Sequence, residues 1–267
     1  MSTRPSRPTA LVTGPATGIG RAFADKLALE GYDLVLVSRD EARLKEVAAD
    51  ISRLHGVECE VLAADLTDAA DLARVEERFR TGPIELLVNN AGFGQKKPFW
   101  ENPVEVEEKQ LDLLVRVVLR LTHAAVQPMI ERGSGAVINV SSVAGFLQRN
   151  IYSAHKAWVT SFSAGLATGL HAQGVAVMAL CPGFVHTEFH ERMGMDKTLI
   201  PSFMWLDADE LVAVAWKDLL RGKAISIPSR RYKLLMTAAR FTPRALIARV
   251  STVGLDGRRP AWSARRE

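Results

Sequence analysis

The sequence predicts an α/β fold: a doubly wound parallel sheet of about seven strands with helices on both faces. Short apolar runs of strand length alternate with longer stretches of helical periodicity along most of the 267 residues. No hairpin signal separates consecutive runs, so neighbouring strands need helical crossovers and lie parallel. The first run also ends in a glycine-rich turn, Thr13-Gly14-Pro15-Ala16-Thr17-Gly18-Ile19-Gly20, that opens straight into a helix.

In chain order, residues 9–12 form the first strand and 21–29 a helix closed by Gly31. Residues 34–37 are a second buried strand, followed by a charged helix over 41–53 whose start is capped by Asp40 and Glu41. A third strand and helix cover 57–63 and 68–80, and a fourth strand, 86–88, runs into Asn89-Asn90-Ala91-Gly92. A long helix over 104–131 leads to a fifth strand, 136–140. A helix over 152–171 and a sixth strand, 175–180, then end at Pro182-Gly183. An amphipathic helix over 209–220 and a short last strand within 224–228 complete the sheet. No linker or repeat interrupts the chain, so residues 1–267 read as one domain with its core over about 9–228.

Composition narrows the class. A hydrophobic share of 48% and a charged share of 24% suit a soluble globular protein with a substantial core. No apolar run approaches the ~18 residues of a membrane span, and Arg4 and Arg7 are not followed by the apolar stretch of a secretory signal. Cys59 and Cys181, far apart and beside apolar runs, read as buried thiols in a reducing cytoplasm. The net charge of +4 is concentrated late: Arg230, Arg231, Lys233, Arg240, Arg244, Arg249, Arg258, Arg259, Arg265 and Arg266 meet few acids. That asymmetry fits an anionic bilayer, an anionic substrate or solubility alone. No recognition motif accompanies it, so nucleic acid is not an expected partner.

Tyr152 and Lys156, four residues apart, share one helix face and set a phenol beside an ammonium. The glycine turn places backbone N–H groups where a phosphate can approach. A proton donor and a seat for a charged cofactor together point to redox chemistry on a carbonyl. Asn89-Asn90-Ala91-Gly92, Ser141-Ser142 after the fifth strand, Tyr152 with Lys156, and Pro182-Gly183 followed by Thr187 come in order along the chain. With the glycine turn, this set resembles the short-chain dehydrogenase/reductase family, a Rossmann-fold family, over about residues 9–228. The long tail and the region after Thr187 resemble its actinobacterial-type members, some of which reduce long-chain 3-oxo lipids.

The resemblance implies residue roles. Tyr152 exchanges the proton with the substrate oxygen, Lys156 favours the phenolate and holds the nicotinamide ribose, and Ser142 binds the substrate oxygen. Ser142 is chosen over Ser141 because it lies three residues after Asn139; a helix-cap or turn role remains open for the pair. Gly14, Thr17, Gly18, Ile19 and Gly20 would hold the cofactor's phosphates, Asp65 and Leu66 its adenine side, and Asn90, Ala91 and Gly92 its channel. Pro182, Gly183, Val185 and Thr187 would border the nicotinamide, with Thr187 at the carboxamide. At the end of the second strand stand Ser38 and Arg39, with no carboxylate to oppose a 2′-phosphate and an arginine able to grip it, so the expected cofactor is NADP(H).

Three features depart from the family pattern. Leu114 occupies the position of the asparagine that supports a proton-relaying water. His155 stands where Ser or Thr commonly precedes the lysine, and the interval from Ser142 to Tyr152 is short. A leucine cannot fix a water. The chain is then a reductase with another proton route through His155, a slow reductase, or an NADP(H)-binding regulatory protein without turnover. His155 itself is either that route or a residue on the helix surface.

Residues 188–206 match the family's substrate lid, and Phe189, Met193, Met195, Phe203, Met204 and Trp205 suit an apolar substrate or simply pack on the core. The spacing of His186, Glu188, His190 and Glu191 does not argue for a metal, and none is expected. Residues 232–250 interleave apolar side chains with arginines, and Thr242-Pro243 splits them into two helices. Such a segment lies on an anionic bilayer, covers the substrate mouth or forms a subunit interface. The substrate expected is a lipophilic ketone or 3-oxoacyl compound. The family commonly forms dimers or tetramers through the long helices, which the apolar stretches 111–121 and 158–170 match.

Overall fold

Most apolar runs of this chain bury side chains on both faces at once, which a parallel sheet covered on both sides permits. The computed structural model describes residues 7–147, 150–189 and 200–241. Its strands are β1 (Thr9–Thr13), β2 (Asp33–Ser38), β3 (Cys59–Ala63), β4 (Leu86–Asn89), β5 (Gly135–Val140), β6 (Val175–Leu180), β7 (Phe184–Val185), β8 (Trp205–Leu206) and β9 (Ile225–Ser226). The main sheet has seven strands in the order β3-β2-β1-β4-β5-β6-β9, and β7 pairs with β8 in a second sheet. All pairings are parallel.

The helices are α1 (Gly18–Leu29), α2 (Glu41–His55), α3 (Ala69–Thr81), α4 (Val104–Leu111), α5 (Val117–Arg132), α6 (Ile151–Leu170), α7 (Ala208–Leu220) and α8 (Arg230–Phe241). Alternate residues of β1 and β2 divide the core in two. Ala10, Val12, Leu34 and Leu36 pack with Phe23, Leu27, Leu44, Ile51 and Val212 on one face. Leu11, Val35 and Val37 pack with Leu72, Phe79, Leu121 and Met129 on the other. This is the doubly wound arrangement the sequence predicts, with side chains at successive positions pointing to opposite layers. Helix starts are set by local chemistry: Asp40 accepts from the Arg43 N–H at 3.0 Å, and Asp68 and Asp207 cap α3 and α7 in the same way.

The structure departs from the sequence expectation in four places. Helix α1 begins at Gly18, because the last glycines of the turn are already its first turn. The helix expected over 104–131 is broken by a π turn at Asp112–Arg116, where one extra residue per turn re-aims the buried face. Cys181 is buried but Cys59 is only half-buried, because β3 is an edge strand; both thiols are free. The span Val104–Arg132 has the length and composition of a membrane helix, with mean hydropathy 1.3. Yet Leu114, Val117, Leu121, Ala125 and Met129 are buried in the fold, as in a core helix. Of the expected lid, residues 190–199 lie outside the described residues, as does the Thr242-Pro243 break.

Candidate active site

In a sheet of this order, the chain winds outward in opposite directions from β1 and β4, and a crevice opens beyond their carboxyl ends. Gly14 follows β1, Asn90 follows β4, Ser141 and Ser142 follow β5, and Pro182 and Gly183 follow β6, so the sequence motifs converge on one edge.

The glycine turn is built for close approach. Gly18 has φ +57°, and a Cβ there would lie 2.5 Å from Thr187 Cγ2; a Cβ on Gly20 would lie 2.1 Å from the Gly14 carbonyl oxygen. Only glycine fits either position. The turn therefore meets Thr187, far away in sequence, and leaves the N-terminal amides of α1 for an anion. This cradle fits the pyrophosphate of a dinucleotide. Asn90 does not spend its side chain on the channel: its amide donates to the Thr13 and Gly14 carbonyls, each at 3.0 Å. The Thr13 hydroxyl in turn accepts from the backbone N–H of Asn90 at 2.9 Å and Ala91 at 3.0 Å. Thr13 and Asn90 are thus a mutual brace between the turn and β4. The brace role of Thr13 escaped sequence reading, because a threonine at a strand end carries no signal of its own.

Among the other expected cofactor contacts, Ser38 Oγ is buried with no protein partner. Arg39 is 76% exposed and only 3.9 Å from Asp65, a loose pair that leaves the guanidinium available. The Asp65 carboxylate accepts from the backbone and hydroxyl of Thr67. Leu66 and Val185 are buried in the core and Ile19 packs against it, so these three offer backbone rather than side chain. Gly92 faces Leu114: a Cβ there would stand 2.9 Å from Leu114 Cδ2.

Helix α6 carries the phenol and the ammonium. Asn150 caps it by accepting from Ser153 N at 2.9 Å. A buried network ties α6 and α5 to the sheet: Asn89 Nδ2 donates to Asn139 Oδ1 at 2.9 Å and Thr122 Oγ1 at 3.2 Å, and Asn139 Nδ2 donates to Ser163 Oγ at 3.0 Å. Lys156 Nζ donates to the Val140 carbonyl at 2.7 Å and lies 5.7 Å from the centroid of the Tyr152 ring. Its other N–H bonds remain for a ligand. Burial pushes Lys156 down to about 8, partly opposed by Cys181. Tyr152 is partly covered as a residue, but it is the setting of its hydroxyl that governs titration. Burial raises its pKa well above 10, and the Ser142 hydroxyl draws it part of the way back.

Ser142 and Tyr152 thus interact across the short interval. Ser141 is committed elsewhere: its hydroxyl donates to the Lys156 carbonyl and pairs with Thr160, both at 2.7 Å. Ser142 accepts from Ala144 N at 3.1 Å, so it also caps the turn that follows, as the sequence allowed. His155 is 5% exposed, which overturns its reading as a surface residue; α6 packs against the π turn and covers it. His186 stacks on Trp205 with centroids 4.9 Å apart.

Beyond the crevice, Phe189 lies against Tyr152 with ring centroids 5.9 Å apart. The first lid residue, Glu188, is held by Arg43 at the start of α2 through a 2.7 Å ion pair. Tyr232 of α8 is a site neighbour that sequence reading did not single out. It is buried, donates to the Met204 carbonyl at 2.8 Å and accepts from Phe184 N at 3.1 Å. A Cβ on Gly183 would fall 2.0 Å from its Cζ. We therefore expect Gly183→Ala to displace α8 and to destabilise the protein by about 1–3 kcal/mol. Thermal unfolding measures this, and an unchanged Tm would refute the close docking.

A glycine cradle for a dinucleotide beside a phenol–ammonium pair defines an NAD(P)-dependent oxidoreductase. The family model described as short chain dehydrogenase matches residues 8–198, and the chain belongs to that family. It is 34% identical to a very-long-chain 3-oxoacyl-CoA reductase of Anas platyrhynchos over 205 residues, 73% of this chain and 63% of that protein. The match thus spans less than two thirds of that reductase. Identity to a serine 3-dehydrogenase of Rhizobium radiobacter is 36% over 186 residues, covering 68% of this chain and 73% of that one. Among solved structures, a short-chain dehydrogenase from Sphingobium yanoikuyae in complex with NADPH superposes with TM-score 0.81 at 35% identity, covering 95% and 99% of the two chains. The bulky-bulky ketone specific alcohol dehydrogenase of Comamonas testosteroni gives TM-score 0.76 at 30% identity, covering 96% and 98%.

Proposed function

We propose that this chain reduces a ketone to an alcohol with NADPH, on a lipophilic or 3-oxoacyl-type substrate. The observation that carries the reading is the approach of Lys156 Nζ to the Tyr152 ring, 5.7 Å from its centroid, beside Ser142 and next to the glycine cradle. Bound NADPH supplies the hydride. Ser142 holds the substrate oxygen, Tyr152 releases its phenolic proton to that oxygen as charge builds there, and the Lys156 ammonium stabilises the phenolate left behind. Gly14, Thr17, Gly18, Ile19 and Gly20 would hold the pyrophosphate, Lys156 the ribose and Thr187 the carboxamide.

The preference for NADPH rests on Arg39, exposed and loosely paired, and on the unpartnered Ser38 hydroxyl beside it. Asp40, the nearest carboxylate after them, is spent on capping α2. We expect Arg39→Ala to weaken NADPH binding by roughly tenfold or more, the worth of a charge-assisted contact, while leaving NADH binding unchanged. Fluorescence titration with both nucleotides measures this. Equal affinities in the native protein would refute the preference.

A lipophilic substrate is supported by Phe189 against Tyr152 and by Phe184 against Trp205, with centroids 5.6 Å apart. The names of the reductase and alcohol dehydrogenase relatives point the same way. The decisive experiment follows NADPH oxidation against ketones running from small diketones to long-chain 3-oxoacyl esters. Turnover that rises with chain length supports the substrate class, and turnover confined to small diketones removes it.

The buried Leu114, in the position of the family's asparagine, favours a second reading, an NADP(H)-binding regulatory protein. Tight NADPH binding without turnover across the panel would select it. A single domain and a homodimer or homotetramer remain part of the proposal. Exposed Leu111 and Leu119 and the Trp158–Phe162 stack supply an apolar face on the long helices, which sedimentation equilibrium tests. In the proposal the protein is cytoplasmic, and Leu234, 73% exposed among basic residues of α8, is the side chain that would touch anionic lipid at the inner membrane face. Failure to pellet with anionic vesicles at low salt would remove that contact.

A further inference from the structure

The Tyr152–Lys156 pair must recover a proton after each reduction, yet Lys156 is buried and Leu114 seals the side facing Gly92 with methyl groups. The two helices that adjoin the turn carrying that apolar plug bear buried polar groups with no part in the chemistry above. Glu107 and Gln110 stand about one turn apart on the buried face of α4. His155 immediately precedes Lys156 on α6, which packs against the Asp112–Arg116 turn that continues α4. All three side chains are more than nine-tenths buried, and each has one polar atom with no protein partner: Glu107 Oε2, Gln110 Oε1 and His155 Nδ1. Hydrogen bonds fix two of them in place. Glu107 Oε1 accepts from Asn102 Nδ2 at 2.6 Å, and Gln110 Nε2 donates to the Phe93 carbonyl at 3.2 Å.

Buried polar atoms left without partners are costly, and several of them in one region mark a place for ordered water. We propose that Glu107, Gln110 and His155 hold ordered water that delivers protons from the Asn102 side to Lys156, and so to Tyr152. The proposal rests on the ketoreductase reading above. In each cycle one proton leaves Tyr152 Oη for the substrate oxygen, and one passes from Lys156 Nζ to Tyr152 Oη. One then passes from the held water to Lys156 Nζ, and one enters from solvent, so the pair ends as it began. Lys156 on its own helix and Glu107 on α4 are the charged groups that act on His155. Burial and Lys156 lower its pKa, Glu107 opposes them, and the ring stays neutral at pH 7. A neutral imidazole accepts at one nitrogen and donates at the other, which suits it to orient water. His155 is a positioning residue in this scheme, since it touches neither substrate nor cofactor.

The test uses the full chain with 15N-labelled lysine and follows exchange of the Lys156 ammonium protons with water by NMR, alongside kcat. We expect His155→Leu to slow that exchange and kcat by about tenfold, the equivalent of one lost hydrogen bond, with NADPH affinity unchanged. His155→Asn, which keeps a polar atom near Nδ1, should stay close to the native protein. Unchanged exchange in His155→Leu overturns the proposal. Slowed exchange in a protein that reduces no ketone leaves the water path standing and removes the ketoreductase reading. If His155→Leu does not fold, a crystal structure of the native protein decides. Water bonded to His155 Nδ1 and to Glu107 Oε2 or Gln110 Oε1 supports the path. Direct closure of these atoms on one another without water overturns it.

Discussion

Replacing Tyr152 with phenylalanine should lower kcat for ketone reduction by roughly 10²–10⁴-fold, the range carried by a positioned acid–base group. NADPH affinity should stay within about twofold, a change well under the worth of one hydrogen bond. Among the described residues, the phenol is the hydroxyl that is placed at the crevice with Lys156 beside it to stabilise the charge left when its proton goes to a substrate oxygen. Burial keeps its pKa above the ordinary value, so the free protein holds the proton until charge develops on the substrate. Ser142 interacts with the same hydroxyl but has no accessible acidity of its own. The Phe189 ring packs on the Tyr152 ring at 5.9 Å between centroids, and phenylalanine preserves that contact. Loss of rate with retained binding therefore isolates the hydroxyl. Stopped-flow reduction with saturating NADPH measures it. A variant within tenfold of the native rate would mean that Tyr152 is not the proton donor.

The sheet was legible because its signals are local and redundant. Residues 34–37 are apolar on both faces, Asp40 sits where a helix cap belongs, and the β5 and β6 runs lie within a residue of the observed Gly135–Val140 and Val175–Leu180. The site was legible where spacing fixes geometry, as for Tyr152 and Lys156 one turn apart. What escaped depends on contacts between distant residues. Tyr232 and Gly183 meet across about fifty positions, and nothing near either one announces it. The π turn at Asp112–Arg116 interrupts one long helical stretch, and helical periodicity averages over a single extra residue. The burial of His155 was ambiguous for the same reason. A polar residue between Tyr152 and Lys156 faces solvent or α4 depending on a helix that the local pattern does not orient. The pairing of β7 with β8 rests on two residues each, too short for any alternation to show.

Lys156→Met should also abolish most turnover, and it should do so while making the free protein more stable at neutral pH. The folded pKa of about 8 lies below the ordinary lysine value of 10.5, so folding disfavours the charged form. A shift of that size corresponds to roughly 3 kcal/mol. Against it stands the Lys156–Val140 hydrogen bond at 2.7 Å, worth about 1.5–3 kcal/mol when a charged donor is lost. The desolvation effect is the larger of the two, so the methionine variant should gain up to about 2 kcal/mol at pH 7. The sign of the pH dependence follows from proton counts. Between pH 8 and 10.5 the unfolded chain binds the lysine proton and the folded chain does not, so this group makes stability rise with pH across that window. Below pH 8 both states are protonated and the cost is fully present. The variant should lack that rise, so its advantage at pH 7 should shrink as pH approaches 10.5. Turnover of the native enzyme moves in the opposite direction, falling above about pH 8 as Lys156 loses the charge that stabilises the Tyr152 phenolate. Urea unfolding of both proteins at pH 7 and 9.5 measures the difference. A methionine variant less stable at pH 7, or one whose stability relative to the native protein does not change with pH, would mean that the buried ammonium carries no such cost.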